Sequence, residues 1–246
     1  MGRLVILSGP SCVGKGPLCA AVRVFCPEVA RCLDKFVLYD SRAPRPGEVD
    51  GVDYHFRSRS EIGDLRRRDD FIVFEVRGDL QALDVRAFEK KLAASDVFFE
   101  GNPFIGSRLR ELTQTLGVEC LSVFLSPLTK EEIEELKSRR PNVDLPGFVR
   151  DMMRRKLLRR TQRQKGILSL ADLENIEVRA ASAYSEMQSA WRFDYVIPNH
   201  DGEDSENWNA FYYPIADARK TMRAFAALLA GESTAGAEKW EQELLG

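Results

Sequence analysis

The sequence of 246 residues predicts an α/β fold with a mostly parallel sheet and flanking helices. Short apolar runs alternate with helical patterns along the chain, as they do in folds of this class. A glycine-rich loop joins the first apolar run to the first helical pattern. The length is sufficient for one sizeable core, and 44% hydrophobic with 30% charged residues is typical of a globular domain.

Residue patterns place the elements in order. We predict five short apolar runs as strands: Leu4–Ser8, Phe36–Tyr39, Val97–Glu100, Leu121–Leu125 and Tyr195–Pro198. Two shorter strand-like pieces fall inside residues 36–95, which we expect to form an inserted subdomain: Asp53–Phe56 and Phe71–Val76. Helical periodicity predicts further elements over Gly14–Phe25, Ala82–Ala94, Thr129–Arg139, Ala171–Arg192 and Glu206–Leu229.

The segment LVILSGPSCVGKGPL, residues 4–18, carries the most specific motif. Gly9, Gly14 and Lys15 fit the spacing G-x-x-x-x-G-K between a buried strand and a helix. Such a loop turns its backbone N–H groups inward at an anion, and the helix adds its positive end. Lys15 can reach the terminal phosphates of a nucleoside triphosphate. We assign nucleotide binding to Gly9, Pro10, Ser11, Cys12, Val13, Gly14, Lys15 and Gly16.

The loop departs from the commonest form at the position that usually contacts magnesium. Gly16 and Pro17 follow the lysine, so the expected Ser or Thr hydroxyl is missing at both positions. Pro17 is tolerated because the first helical turn does not need its N–H. We expect Mg²⁺ to bind through phosphate and water, more weakly than in a complete loop, and we assign no protein residue as a metal ligand.

A second motif, SRAPRPGEVDGVDYHF, covers residues 41–56. Arg42 and Arg45 are three residues apart, and the prolines at positions 44 and 46 stiffen the loop that holds them. Two fixed guanidinium groups suit a dianionic phosphate, and Tyr54 adds a hydroxyl donor. Taken alone, this segment is better interpreted as a surface loop with two solvated arginines.

Composition excludes several classes of protein. No apolar run approaches the ~18 residues of a membrane span, and the first residues do not have the layout of a signal peptide. Five cysteines without a C-x-x-C pair indicate reduced thiols, and we therefore expect a cytoplasmic protein. Two isolated histidines give little support to a zinc site or a histidine triad.

These segments together resemble the guanylate kinase family. GPSCVGKG resembles its phosphate loop, and RAPRPGEVDGVDYHF closely resembles its acceptor-binding segment. IEELKSRR resembles the start of its lid, and IEVRAASAYSEM with FDYVIPNHD resembles its closing helix and last strand. The resemblance spans most of residues 1–204. It implies one domain, residues 1–246, with a P-loop NTPase-type core (1–35 and 96–246), a mixed acceptor-binding insert (36–95) and a helical lid (138–168).

The resemblance also implies an ATP-dependent nucleoside monophosphate kinase that uses Mg²⁺ and phosphorylates GMP or dGMP. Lys15 would hold the β- and γ-phosphates, and Asn199 would lie near the adenine. Arg42, Arg45 and Tyr54 would bind the acceptor phosphate. Lid and helix arginines would contact the transferred group, and the matching positions are Arg139 or Arg140 and Arg179.

The match weakens where the family reads guanine, in the segment F-I-E-W…G-N-Y-Y-G-[ST]. Here the chain reads FIVFEVRGDLQALD, with Val73 at the expected glutamate and Glu75 as a substitute if the register shifts. The Tyr-Tyr-Gly-Ser/Thr run becomes residues 80–83, and Leu38 replaces a serine. The D-x-D motif becomes Glu100-Gly101-Asn102, whose two polar members we assign to substrate binding. Phosphate recognition is thus expected to be kept and base recognition altered.

A basic insertion follows Arg140. Residues 137–165 contain eleven Lys or Arg and two acids, although the net charge of the whole chain is −2. A helix over residues 148–163 is interpreted as an enlarged lid with extra phosphate-binding arginines, as a solvated or homodimer-forming helix, or, least favoured, as a surface for nucleic acid or an acidic partner. Two functional alternatives also stay open: a kinase for another phosphorylated acceptor such as a ribose phosphate, and an inactive guanylate kinase-like interaction module.

Overall fold

A computed structural model describes residues 2–45, 47–139 and 143–246. The strands of the described chain are β1 (Leu4–Ser8), β2 (Tyr39–Asp40), β3 (His55–Phe56), β4 (Phe71–Val76), β5 (Asp79–Asp84), β6 (Val97–Gly101), β7 (Cys120–Ser126) and β8 (Tyr195–Pro198). The α-helices are α1 (Lys15–Phe25), α2 (Arg59–Asp64), α3 (Val85–Ala94), α4 (Pro103–Leu116), α5 (Lys130–Arg139), α6 (Leu145–Lys165), α7 (Leu170–Ala181), α8 (Ala183–Met187) and α9 (Ala216–Leu229). None of these described helices is both long and apolar enough to cross a membrane.

The main sheet is parallel, with the strand order β6-β1-β7-β8. All five residues of β1 are buried, as expected for a central strand covered on both faces. Ser8 at the end of β1 is level with Gly101 of β6 and Phe124 of β7. The carboxyl ends of these strands therefore meet at one edge, where α/β proteins bind ligands. This confirms the predicted fold class.

The second sheet is mixed, with the order β3-β2-β5-β4. β2 and β3 are parallel, whereas β2 with β5 and β4 with β5 are antiparallel. A small separate core lies between this sheet and α2, formed by the buried side chains of Ile62, Leu80 and Ala82. Every strand of this sheet falls within the predicted insert, residues 36–95.

Several predicted boundaries were wrong. The helix predicted over Ala82–Ala94 begins only at Val85, because residues 82–84 pair with β4 as part of β5. The strand predicted over Phe36–Tyr39 is reduced to β2. The segment Ala171–Arg192 is divided near Ser182, whose hydroxyl donates to the carbonyl of Arg179 and thereby competes with regular helix bonding.

Two further differences have local causes. The last helix begins at Ala216 rather than Glu206, since Pro214 cannot donate a backbone hydrogen bond. The prediction omitted α4, although its end signals were legible: Asn102 caps it, Pro103 opens it and Gly117 ends it at φ 65°.

The basic insertion forms α6, a 21-residue helix. Its buried positions recur every four residues along one face: Leu145, Val149, Met153, Leu157 and Thr161. This face packs on α7 and α8, so the chain covers its apolar stripe with its own helices. The helix is therefore an integral part of the fold, and its basic residues project from a fixed support.

Candidate active site

The loop between β1 and α1 has a backbone shape that its glycines make possible. Gly9 has φ 146°, and a Cβ there would lie 2.4 Å from the carbonyl oxygen of Leu125. Gly14 has φ 104°, and a Cβ would lie 2.6 Å from Nδ2 of Asn199. Left-handed backbone and close neighbours both exclude a larger residue at each position. The loop is thus held tightly against the ends of the sheet.

Lys15 lies buried beneath this loop, with 8% of its surface exposed. Its Nζ donates to the carbonyl oxygens of Gly9 at 2.9 Å and Pro10 at 2.8 Å. Burial lowers the pKa of Lys15, while the carboxylates of Glu203 and Glu100 act in the opposite direction. The ammonium group is therefore held at the loop, where an anionic ligand can replace weak carbonyl partners.

Arg42 and Arg45 are organised by one carboxylate, Glu48. Arg42 donates two hydrogen bonds to Glu48, at 2.6 and 2.7 Å, and its Nε lies 3.4 Å from Asp40. The backbone N–H of Arg45 donates to the same glutamate at 2.7 Å. The guanidinium carbon of Arg42 lies 5.0 Å from the ring centre of Tyr54. Sequence reasoning attributed the fixed arrangement of the two arginines to the neighbouring prolines and did not assign a role to Glu48.

The phosphate loop and the arginine pair line one cleft of about 320 Å³. The predicted residues brought together there include Gly9, Ser11, Cys12, Lys15, Gly16, Arg42, Arg45, Tyr54, Glu100, Asn102 and Arg179. Burial raises the pKa of the Cys12 thiol to about 12, so this thiol stays protonated and is not a nucleophile at neutral pH. The lining of the cleft thus includes both Lys15 of the loop and the arginine pair.

Besides Arg42, the cleft lining contains Arg45, Arg77, Arg160 and Arg179. Arg179 is 6% exposed, and its Nε donates to Oγ of Ser11 at 3.0 Å. Burial, followed by the charges of the other three arginines, lowers the pKa of Arg179 strongly. Mutual repulsion among buried cations is relieved by a polyanion, so this arrangement is suited to a polyphosphate.

Comparisons with known proteins agree with this geometry. The sequence profile described as guanylate kinase matches residues 1–145, more than half of the chain. A guanylate kinase of Synechococcus sp. (strain JA-3-3Ab) is 30% identical over 216 residues, covering 87% of this chain and 83% of the relative. The chain belongs to the guanylate kinase family. The members named in these comparisons are guanylate kinases, enzymes that phosphorylate nucleoside monophosphates.

Further relatives extend the similarity across the chain. A guanylate kinase of Bartonella quintana (strain Toulouse) is 30% identical over 227 residues, which is 91% of this chain and 86% of that protein. The crystal structure of guanylate kinase from Anaplasma phagocytophilum superposes with a TM-score of 0.52 at 20% identity, over 99% of this chain and 93% of the other. That structure shares the P-loop NTPase-type fold.

Asn199 does not contact the open cleft as the guanylate kinase resemblance suggested. It is fully buried, and its Nδ2 donates to the carbonyl oxygens of Val13 and Asp201, at 2.7 Å each. Its Oδ1 accepts from the backbone N–H of Asp201 at 3.2 Å. Because these contacts occupy its polar atoms, the assignment to adenine is corrected: Asn199 braces the phosphate loop from behind.

The lid arginines also differ from the expectation. Arg139 is largely exposed at the end of α5 and pairs with Glu135 at 3.0 Å, outside the cleft lining. Arg140 lies outside the described residues. Arg160 of α6 enters the cleft instead, with one guanidinium nitrogen donating to Glu203 at 2.7 Å. The Nε of Arg160 is buried and has no hydrogen-bond partner among the described residues.

Arg77 is the second cleft arginine that sequence reasoning missed. It lies in the turn between β4 and β5 at φ 53°, and its Nε donates to Oγ of Ser182 at 2.9 Å. It also pairs with the buried carboxylate of Glu186. These contacts tie the acceptor-binding insert to the helices of the core. The Arg77-Gly78 pair predicts a tight turn at this point, and this was the signal in the sequence that could have drawn attention to Arg77.

Most positions at which the family reads guanine are apolar and packed, but Gln81 is polar, lines the cleft and donates to the buried Asp40 at 2.8 Å. Leu38, Leu80, Ala82 and Leu83 are buried. Val73 packs against the small core of the second sheet. Hydrocarbon side chains offer no hydrogen bonds to a base edge. The folded site therefore also lacks most of the polar groups that the family uses to recognise guanine.

Three polar residues of the acceptor side have separate positions. Glu75 is exposed and lies 3.8 Å from Arg59, away from the cleft, so the expected substitution through a register shift is corrected. Glu100 lines the cleft, and burial raises the pKa of its carboxyl group. Asn102 also lines it, while its side chain accepts from the N–H of Phe104 at 2.9 Å as the cap of α4.

Proposed function

We propose that this protein transfers the γ-phosphoryl group of ATP to a nucleoside monophosphate, with GMP and dGMP as the first acceptors to test. The observation that carries the proposal is the single cleft with an anion-binding loop on one side and the Glu48-organised arginine pair on the other. Membership of the guanylate kinase family supports the same assignment. Phosphoryl transfer requires two phosphates held in line, and this cleft has a subsite for each.

Each side chain has a physical role in this reaction. Lys15 exchanges its bonds to the carbonyls of Gly9 and Pro10 for the β- and γ-phosphates of ATP. Arg42 and Arg45 hold the acceptor phosphate. Arg160 and Arg179 neutralise the charge of the transferred group, because both line the cleft that holds the two phosphates. No general base is needed, since the acceptor is already an anion.

Magnesium would have few protein contacts in this cleft. Gly16 offers no hydroxyl, and a Cβ built on it meets no atom within 4 Å. The cleft carboxylate of Glu100 can accept hydrogen bonds from metal-bound water. The residues thus fit an Mg²⁺ ion held mainly by nucleotide phosphates and water, which supplies charge neutralisation when it is bound.

The apolar acceptor side supports a broader acceptor range than GMP alone. Each base contact that is missing from a buried site costs roughly 1–3 kcal/mol, and a site built on such contacts can discriminate by about 10⁴–10⁵. A kinase that has lost them accepts other monophosphates, and a ribose phosphate is the limiting case. A cytoplasmic location and homodimer formation stay predictions from the sequence.

The test is ADP formation from ATP–Mg²⁺ in the presence of each of GMP, dGMP, AMP, CMP, UMP and ribose 5-phosphate. Acceptor-dependent turnover supports a kinase. No turnover with any of these acceptors would contradict it. Calorimetry on the same protein separates the cases, because an interaction module without a nucleotide site shows no heat with ATP–Mg²⁺.

A further inference from the structure

Arg77 occupies a backbone position that arginine seldom adopts. It is the first of the two residues between β4 and β5, with φ 53°, and Gly78 follows it with φ 88°. Positive φ at both residues of such a short hairpin loop is the pattern of a type I′ turn, which prefers asparagine, aspartate or glycine at its first position. Residues held in sparsely populated conformations concentrate at ligand-binding and catalytic sites. The turn therefore directs attention to what the side chain of Arg77 does.

One edge of the Arg77 guanidinium group is held by the helices of the core. Its Nε donates to Oγ of Ser182 at 2.9 Å and to Oε1 of Glu186 at 3.0 Å, and its Nη2 donates to the same carboxylate oxygen. The side chain of Glu186 is fully buried, and the hydroxyl of Ser182 also donates to its Oε1, at 2.9 Å. These contacts fix the direction of the guanidinium group before any ligand binds.

The other edge of this guanidinium group is available to a ligand. Arg77 lines the cleft, and 20% of its side chain is exposed. Its Nη1 makes no hydrogen bond to a described residue, because the contacts to Ser182 and Glu186 use Nε and Nη2. An arginine bound along one edge by a carboxylate can still donate its remaining N–H groups to phosphate oxygens.

Arg77 belongs to the acceptor-binding insert, but its charge acts on the residues that hold the phosphate loop. Burial lowers the pKa of both Lys15 and Arg179, and the positive charge of Arg77 acts in the same direction on each. Lys15 donates to the carbonyl oxygen of Gly9, and Arg179 donates to the hydroxyl of Ser11. An anion bound among these three cations relieves their mutual repulsion. The terminal phosphate of a nucleotide on this loop is such an anion.

We propose that Arg77 is a catalytic residue that binds the γ-phosphoryl group of the donor and neutralises its charge during transfer. This inference rests on the proposed kinase function, and it gives the acceptor insert a role that the family resemblance assigned to Arg139 of the lid. In the transfer, an oxygen of the acceptor phosphate forms a bond to the γ-phosphorus. The bond from that phosphorus to the β–γ bridging oxygen breaks, and its electron pair leaves with ADP. Arg77 donates N–H groups to the peripheral oxygens of the transferred group, and no proton has to move.

A structural role alone would limit Arg77 to neutralising the buried carboxylate of Glu186. Two variants distinguish the two roles. Arg77→Asn removes the cation and places a preferred residue at the first position of the turn. Arg77→Asn/Glu186→Gln also removes the carboxylate, so that no unpaired charge stays buried. A function in neutralising Glu186 is no longer needed in the double variant, whereas a function in binding phosphate is still lost.

The first test measures the binding of ATP–Mg²⁺ and ADP–Mg²⁺ by calorimetry without acceptor. We expect Arg77→Asn and the double variant to weaken ATP binding by at least about tenfold and ADP binding by less than about twofold, because only ATP has a γ-phosphate. Arg67→Asn is the matched control: this side chain of the same insert is 85% exposed and lies outside the cleft lining, so both nucleotides should bind as to the parent. Equal losses for ATP and ADP in Arg77→Asn would overturn the inference.

The second test measures kcat at saturating ATP with the acceptor that the parent protein uses best. We expect kcat to fall by about 10²-fold in Arg77→Asn and to stay at that level in the double variant, since both lack the cation. Recovery of kcat in the double variant to within about threefold of the parent would overturn the inference, because Arg77 would then serve only to neutralise Glu186.

The two tests separate this inference from the proposed function. If the parent protein turns over no acceptor, the kinase proposal fails, and the comparison of ATP with ADP still decides whether Arg77 binds the γ-phosphate. If the parent is active and Arg77→Asn keeps the parent values of kcat and of ATP affinity, the kinase stands and Arg77 is not part of its catalytic machinery.

Discussion

The phosphate-binding half and the base-recognition half of the cleft follow the guanylate kinase pattern to different degrees. The loop keeps Gly9, Gly14 and Lys15, and the acceptor side keeps its arginine pair. The positions that read the base hold Leu80 and Ala82 and form a small core. From this difference we infer that phosphate binding and the choice of base are separable properties of one cleft.

The physical reason lies in what each half is made of. A Cβ at Gly9 or Gly14 would come within 3 Å of neighbouring atoms, so the loop tolerates little change. The base-reading positions consist of side chains on a small sheet, where an apolar residue gains stability by burial. Full burial of a leucine side chain contributes about 1.5–3 kcal/mol, which offsets the loss of a polar contact.

The largest expected effect comes from removing the loop cation. Lys15→Met should lower kcat by at least about 10³-fold, because the γ-phosphate loses its buried positive partner. Acceptor binding, measured by calorimetry, should stay within about twofold, since the arginine pair is untouched. A variant that keeps more than about a tenth of the parent kcat would contradict the role of the loop.

Arg160→Ala tests the contribution of α6 to the phosphate-binding half of the cleft. Its guanidinium group lines the cleft, so kcat should fall by about 10²-fold with every acceptor alike. Arg159→Ala is the matched control on the same helix: Arg159 is 68% exposed and lies 3.7 Å from Asp204. Equal losses in the two variants would mean that α6 acts only as a support.

Gly16→Ser tests the missing hydroxyl. A side chain at this position meets open space, so the substitution should be accommodated without strain. The Mg²⁺ concentration for half-maximal activity should fall by about three- to tenfold, as one added contact of about 1 kcal/mol predicts. Gly16→Ala adds the carbon without the oxygen and should leave the magnesium dependence at the parent value. If both variants behave alike, the hydroxyl is irrelevant to the metal.

The smallest expected effect concerns His200, which follows Asn199 in the chain. Burial alone would lower the pKa of His200, but hydrogen bonds to Glu132 at 2.9 Å and to Asp217 raise it above its ordinary 6.5. A raised folded-state pKa means that this stabilisation is complete below the unfolded pKa. It is lost as pH rises through the folded value.

His200→Gln should therefore flatten the fall in Tm of the parent protein above about pH 6.5, measured by calorimetric scans in a series of buffers. Parallel curves for the parent and the variant would exclude this contribution.

The sequence predicted the features whose signals lie within one short segment of the chain. The phosphate loop, the arginine pair and all four strands of the main sheet were placed from spacing and periodicity, because their signals lie within a few residues. Arg160 could not be assigned, since it reaches the cleft only after α6 packs on α7 and α8. The assignment of Asn199 to the adenine did not anticipate its complete burial behind the phosphate loop, which a single sequence does not reveal.

The most direct test of the separation between phosphate binding and base choice is the ratio of kcat/KM for GMP to that for AMP, CMP and UMP, with ATP as donor. Retained phosphate subsites and lost base readers predict measurable turnover with several of these acceptors and a GMP preference below about 10²-fold. A preference of about 10⁴-fold or more for GMP would contradict the account, because it requires several base-specific contacts at positions where the structure holds mostly hydrocarbon.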